Sequence, residues 1–449
     1  MKMTWKLLEQ TDAEPSVMPC GVLLAILFIV VVAVVNLFGL ADWLQAKTPF
    51  TLIVFKGLLV PALIALTATF IFYMGAFCRL HVFQMRQFRI EVNNYLVTAY
   101  SRRCMTLVAW HSLAPVQHIA LKMLKLEGAM PLAPETPLNI DCEERYEAPR
   151  LEIILKKLIE PLKEKLNEPY LFDVSLWVRA QDADAENSVG NALKAAGINM
   201  KNVKKISVMD ICPGYSLLEK WINQLHSQSN FYHLLLIADI HAEDKNDFME
   251  NASAFLFGYY SSRAEKPLFI SIPLTDKQNL ETAAVAFIKT KRMEAAKVLW
   301  HTGLERKEKY PLFEVLNQVK TAPDRLDMDT AFGKRSAGYQ WLALALAADA
   351  VRYAQGPQLM AASGKNEFGL LSLGDSWCRE PEPPERFVPL PVFGAVMSTL
   401  LMLGSLGLST LVYSKKELLL SLTAVLLITA LTALILGGIA WVAVVHESD

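Results

Sequence analysis

The sequence predicts an α/β soluble domain held between two pairs of membrane-spanning helices. Three observations lead there: four long apolar runs, two near each end; about three hundred more polar residues between them; and, within those, strands alternating with helices. The first run, Gly21 to Leu40, carries no charge, and the second spans Phe50 to Cys78, interrupted only by Lys56. The third covers Phe387 to Tyr413 and the fourth Leu418 to Val445. A helix needs ~20 apolar residues to cross a bilayer's hydrocarbon core, and each run supplies that. The expected layout is a transmembrane hairpin over 1–78 (spans 21–40 and 50–78), a soluble domain over 79–385, and a second hairpin over 386–449 (spans 387–413 and 418–445).

The first run does not read as a removable leader. It exceeds the apolar core of a signal peptide, and no small-residue cleavage site precedes a soluble stretch. Asp42 and Lys47 mark a short loop, and the second span follows at once. Four spans put the domain and both flanking segments on one side. Lys2, Lys6, Arg79, Arg86, Arg89 and Arg386 lie on that side, against Lys47, Lys415 and Lys416 opposite. That excess points to a cytoplasmic domain. Six cysteines without a CxxC fit a reducing compartment. A net charge of −1 gives no basic footprint for nucleic acid.

The spans read as anchors. Gly404, Gly407, Gly437 and Gly438 allow close helix approach. Lys56 lies near enough to a span end to snorkel. No Asp, Glu or His sits at mid-span, where an ion pathway would need one.

In the soluble part, Phe77 to Val108 reads as a helix leading into a strand near Met105–Trp110. The proline-rich stretch 131–149 is loop. Pro149 to Asn167 is an amphipathic helix with Leu151, Ile154, Leu155, Leu158, Leu162 and Leu166 on one face, and Pro161 should kink it. Strands are expected at Leu171–Val178, Lys205–Ile211, His233–Ile240, Ala252–Tyr259, Leu268–Ile272, Lys297–His301, Gln358–Ala362 and Phe368–Leu373. Helices are expected at Ala185–Ala196, Ser216–Gln228, Leu280–Lys291, Pro311–Lys320 and Ala337–Ala354. Strands apolar throughout, interleaved with helices, mean a sheet covered on both faces.

Phosphate-loop, dinucleotide, zinc-protease and paired CxxC signatures are absent, so no cofactor or metal is expected. His226, His233 and His241 lack ligand spacing and read as core or solvated residues.

One ordered set of segments carries chemistry. Asp210-Ile211-Cys212-Pro213-Gly214-Tyr215 opens a helix after a strand, HLLLIADIHA follows, then Glu250 to Gly258. Trp300-His301-Thr302-Gly303 comes next, then Thr330 to Gly338 ahead of LALALAADAV, and last Ala361 to Gly369. This order resembles the thiolase-like fold and, within it, the β-ketoacyl synthases, over roughly Tyr170 to Leu373. The resemblance implies a nucleophile at Cys212 and proton-handling partners at His301 and Lys334. Lys334 stands where the family has its second histidine, and the family's HGTGT turn is reduced to His301-Thr302-Gly303. A lysine can donate a hydrogen bond but cannot copy a neutral imidazole. Cys212 at a helix start would gain thiolate character, while Pro213 beside it is equally an ordinary first helical residue.

A narrower resemblance, in Leu107–Pro115, Lys297–Leu304 and Ala337–Ala348, is to the lipase-adaptor proteins of type VI secretion systems. It implies a non-catalytic adaptor at the bacterial inner membrane, with membrane lipid and a secreted effector or secretion component as partners. Tyr215, Tyr339 and Trp341 are the binding candidates at the mouth of the former active site, with core packing as the plainer reading. An acyl-transferring enzyme using Cys212 and His301, an immunity protein against a membrane-targeting toxin, and a structural envelope subunit are the alternatives.

Overall fold

The computed structural model describes residues 4–9, 20–45, 50–54, 57–58, 60–128, 139–142, 149–179, 184–225, 231–241, 248–258, 267–291, 296–319, 322–364, 367–376 and 379–385. The chain forms two units. One joins Met1–Leu7 to Asn93–Glu382; the other runs from Leu8 to Val92 and resumes at Pro383.

The second unit contains α1 (Cys20–Gln45), α2 (Phe50–Val54) and the first three quarters of α3 (Val60–Ser101). Along Gly21–Phe38, α1 is long and apolar enough to cross a membrane, and none of that stretch is buried within the protein. It is the one such helix among the described residues. Of the second expected span, α2, residues 57–58 and the start of α3 are described and helical, while 55, 56 and 59 lie outside the described residues. The amide of Asn36 on α1 donates to Val32 O at 2.8 Å and to Gly57 O at 3.0 Å. The third and fourth expected spans, 387–413 and 418–445, lie outside the described residues.

The α/β unit opens with β1 (Cys104–Leu113) and α4 (Ile119–Met123). Next come α5 (Arg150–Ile159) and α6 (Lys163–Leu166), separated by a 3-10 turn at Glu160–Leu162 where Pro161 was expected to kink the helix. Then follow β2 (Leu171–Val178), α7 (Ala185–Ala195), β3 (Val203–Met209), α8 (Ser216–Leu225), β4 (Phe231–Asp239) and β5 (Asn251–Gly258). The remaining elements are β6 (Leu268–Ser271), α9 (Leu280–Lys291), β7 (Val298–Thr302), α10 (Arg306–Asn317), β8 (Asp324–Asp327), α11 (Met328–Phe332), α12 (Tyr339–Arg352), β9 (Gln358–Ser363) and β10 (Phe368–Gly374).

All ten strands share one sheet, in the order β3-β2-β4-β5-β1-β6-β10-β9-β7-β8. That order is a duplication. Reading outward from the central β1–β6 pair, β5, β4, β2 and β3 on one side answer β10, β9, β7 and β8 on the other. The pairings agree: β3–β2–β4 and β8–β7–β9 are parallel, whereas β4–β5, β9–β10, β1–β5 and β6–β10 are antiparallel. The seam β1–β6 is antiparallel as well. By the same correspondence, α7 answers α10, and α8 answers α12.

Period-two alternation sorts the side chains. On β5, Phe255 and Phe257 enter one core, while Ala252, Ala254 and Leu256 enter a second. The second core also takes the leucine face of α5 and the buried face of α7. Apolar on nearly every side, α12 is buried along almost its whole length and packs against β5, β7 and β9.

Two of the elements that differ from expectation show why. The edge strand β8 is only Asp-Arg-Leu-Asp, a short, charged sequence of the kind that protects sheet edges and leaves no apolar signal. Starting at Arg306, α10 begins five residues ahead of the expected Pro311, because Glu305 and Glu308 form a reciprocal capping box.

Candidate functional site

The duplication brings the starts of α8 and α12 together, and Cys212 lies between them. Following β3, the turn 212–215 is clipped to 337–341. Gln340 Nε2 and Trp341 Nε1 each donate to Pro213 O at 2.8 Å, and Tyr215 Oη donates to Gln340 O at 2.7 Å. The Cys212 thiol donates toward Ala337 O at 3.4 Å, with Pro213 O at 3.9 Å, and its sulfur receives Gln340 Nε2 at 3.6 Å. None of these partners is an imidazole. Burial pushes the thiol up to about 12, against the opposing pull of the Gln340 hydrogen bond. Desolvation therefore opposes the thiolate character expected from a helix start.

His301, on β7, is buried. Its Nδ1 stands 3.8 Å from Asp327 Oδ1, and its ring meets Phe313 edge-on at 5.4 Å. Burial holds the imidazole below its usual range, with Asp327 opposing, so it is neutral near pH 7. The rest of the turn is filled by a carboxylate of the chain itself. Thr302 Oγ1 donates to Asp329 Oδ1 at 2.7 Å, and Gly303 N to Asp329 Oδ2 at 2.6 Å. Gly303 has φ 66°, and a Cβ there would stand 2.5 Å from Ser363 O, so glycine is required. Lys334 is exposed on the loop between α11 and α12.

The three aromatic binding candidates are interior residues: Tyr215 is 2 % exposed, and Tyr339 and Trp341 are 0 % exposed. Tyr215 and Trp341 meet edge to face at 5.7 Å, and Tyr339 Oη accepts from Met249 N at 3.1 Å. They fasten the helix starts to the sheet, so their packing reading describes their place in this structure.

Sequence reasoning gave no role to three buried carboxylates. Asp239, at the end of β4, accepts from Arg179 Nη2 at 3.2 Å, from Gly338 N at 2.7 Å and from Ser336 Oγ. The Arg179 guanidinium lies 4.1 Å over Phe248. Glu250 accepts from Arg150 at 2.6 and 3.0 Å, from Ile140 N at 2.7 Å and from His241 N at 2.8 Å. Glu308 accepts from Ser363 Oγ at 3.0 Å and pairs with Lys277 at 3.3 Å. An acidic residue at the boundary of an apolar strand was the available signal: Asp239 ends β4 and Glu250 directly precedes β5. Each carboxylate is consumed by its partners, which makes it a fastener. Among the described residues, no cluster of His, Cys, Asp or Glu could hold a metal ion.

No family model matches the sequence, and no curated protein matches it either. Solved structures of condensing enzymes are similar in fold. A tetronic acid condensing enzyme is 10 % identical, with 60 % of this chain and 99 % of that chain covered at a TM-score of 0.38. The 3-oxoacyl-[acyl-carrier-protein] synthase III of Aquifex aeolicus is 13 % identical, covering 60 % and 99 % at 0.39. Cerulenin-bound OleA of Xanthomonas campestri is 8 % identical, covering 62 % and 98 % at 0.41. These are likenesses of chain path, and no residue's role follows from them.

Proposed function

We propose that the α/β unit is a thiolase-like scaffold without acyl-transfer chemistry, serving as a membrane-anchored binding module. In this reading it is an adaptor at the bacterial inner membrane, with its α/β unit in the cytoplasm, and it assists loading or export of a type VI secretion effector. One observation carries the non-catalytic part: the Cys212 thiol, pushed up to about 12, is held by main-chain carbonyls and an amide rather than by a base. A condensing nucleophile needs the opposite, a sulfur poised as thiolate beside a proton acceptor. The carboxylate of Asp329 supports the same reading, since it already takes the Thr302 hydroxyl and the Gly303 amide, leaving neither free for a ligand.

The test is genetic and direct. A Cys212→Ala/His301→Ala double variant should export effector as the parent does, whereas deletion of the whole gene should abolish export without poisoning the cell. Loss of export in the double variant would restore the acyl-transferring enzyme. Self-poisoning on deletion would make the protein an immunity factor.

A further inference from the structure

Trp5 lies before the first apolar helix, yet it belongs to the core of the α/β unit. It is 5 % exposed, meets Tyr100 edge-on at 5.7 Å and packs against Phe287 at 5.6 Å. The next residue is tied down as well: Asn93 Nδ2 donates to Lys6 O at 3.1 Å. A buried tryptophan with two aromatic neighbours is an anchor, since its large area is desolvated only when the segment is seated. The chain therefore leaves the α/β unit just after Lys6 and returns to it at Asn93, and the two points are hydrogen-bonded to each other.

A segment that starts and finishes in one folded body crosses a bilayer an even number of times. Between Leu8 and Val92, α1 is long and apolar enough for one crossing. The return falls to the beginning of α3, where Val60 to Cys78 carries no charge and spans about 28 Å as helix. The Asn36–Gly57 hydrogen bond supports the fold-back, since a polar side chain in an apolar helix finds its partner on the neighbouring segment. Trp5 also bears on the leader question, because cleavage behind α1 would remove a core residue of the α/β unit.

We infer that Trp5 is a docking plug: it seats the leading segment in the Tyr100–Phe287 pocket, retains α1, and closes 8–92 into a two-crossing hairpin. This rests on the membrane reading of α1 but not on the adaptor role.

Two measurements on the full chain in membrane vesicles test it. Single cysteines at Lys6, Lys47 and Lys204 are labelled with an impermeant maleimide in right-side-out and inverted vesicles, and the labelled peptides are identified by mass. Lys6→Cys and Lys204→Cys should react from one side and Lys47→Cys from the other; any other pattern overturns the hairpin. Separately, Trp5→Ala should raise tryptic cleavage at Lys6–Leu7 at least tenfold. Cleavage at Arg150 in the same digest should stay constant, reporting that the fold is intact. Unchanged cleavage at Lys6, or equal rises at both sites, would remove the plug. Effector export is not part of either readout, so a failed adaptor reading leaves this outcome distinct.

Discussion

Alkylation of Cys212 gives the sharpest measure of whether this scaffold retains a nucleophile. Its thiol is raised from an ordinary 9.0 to about 12. Three units of pKa lower the thiolate fraction about a thousandfold at any pH well below 9. Folded protein should therefore react with iodoacetamide roughly a thousandfold more slowly at Cys212 than the urea-unfolded chain at the same pH. The profile matters as much as the rate. In the folded protein the rate should climb about tenfold per pH unit through pH 10 without levelling, while the unfolded chain levels near 9. Peptide mass spectrometry after timed quenching separates Cys212 from Cys104 and Cys142, which are also free thiols. A folded-state plateau below pH 8 would refute the argument, since only a stabilised thiolate produces it.

Three further outcomes follow from the same contacts. Arg150→Met should destabilise the α/β unit by about 3–5 kcal/mol in urea unfolding, because Glu250 is then left fully buried without its cation. Gly338→Ala should abolish folding or lower the melting temperature steeply, as its Cβ would run into Asn251 Oδ1 and stand 2.7 Å from Asp239 Cβ. Gly190→Ala, with nothing within 4 Å and a place inside α7, should instead be neutral or gain about 0.5–1 kcal/mol. Acid should weaken the fold through His233, which stacks on Trp221 at 4.4 Å and is lowered by burial from 6.5 to about 4. The unfolded chain takes up that proton near pH 6.5 and the folded chain only near 4, so stability present above 6.5 is lost as pH falls across this window. A flatter melting profile over that range in His233→Phe checks the assignment.

Much of the α/β frame was legible in the sequence, and the reasons are local. β2 and α9 fall where apolar runs and their flanking residues placed them, and α12 announces itself as a long apolar helix after a glycine. What escaped had no local signature. β8 is four residues of mostly charged chain, and α11 is a single capped turn begun by the Asp327 side chain. The duplication escaped too, because it lives in strand order and not in repeated residues. Glu250 and Glu367 stand one residue before equivalent strands, yet one is sealed by Arg150 while the other accepts from Ser216 Oγ. At the site, sequence order located Cys212 and His301 but could not reveal their environments. The Ala337 carbonyl beside the sulfur and the Asp329 carboxylate on the Thr302–Gly303 turn arise from chain crossings over a hundred and over twenty residues apart, respectively.

The seam of the sheet sets a timetable for synthesis. β1 is the first strand of the sheet to leave the ribosome, yet its neighbours β5 and β6 come from roughly 140 and 160 residues further along. At ordinary elongation rates β1 waits on the order of 7–30 s with both edges bare, immediately behind the long helix α3. Until then Met105 and Leu107, both buried in the finished fold, have no strand beside them to pack with.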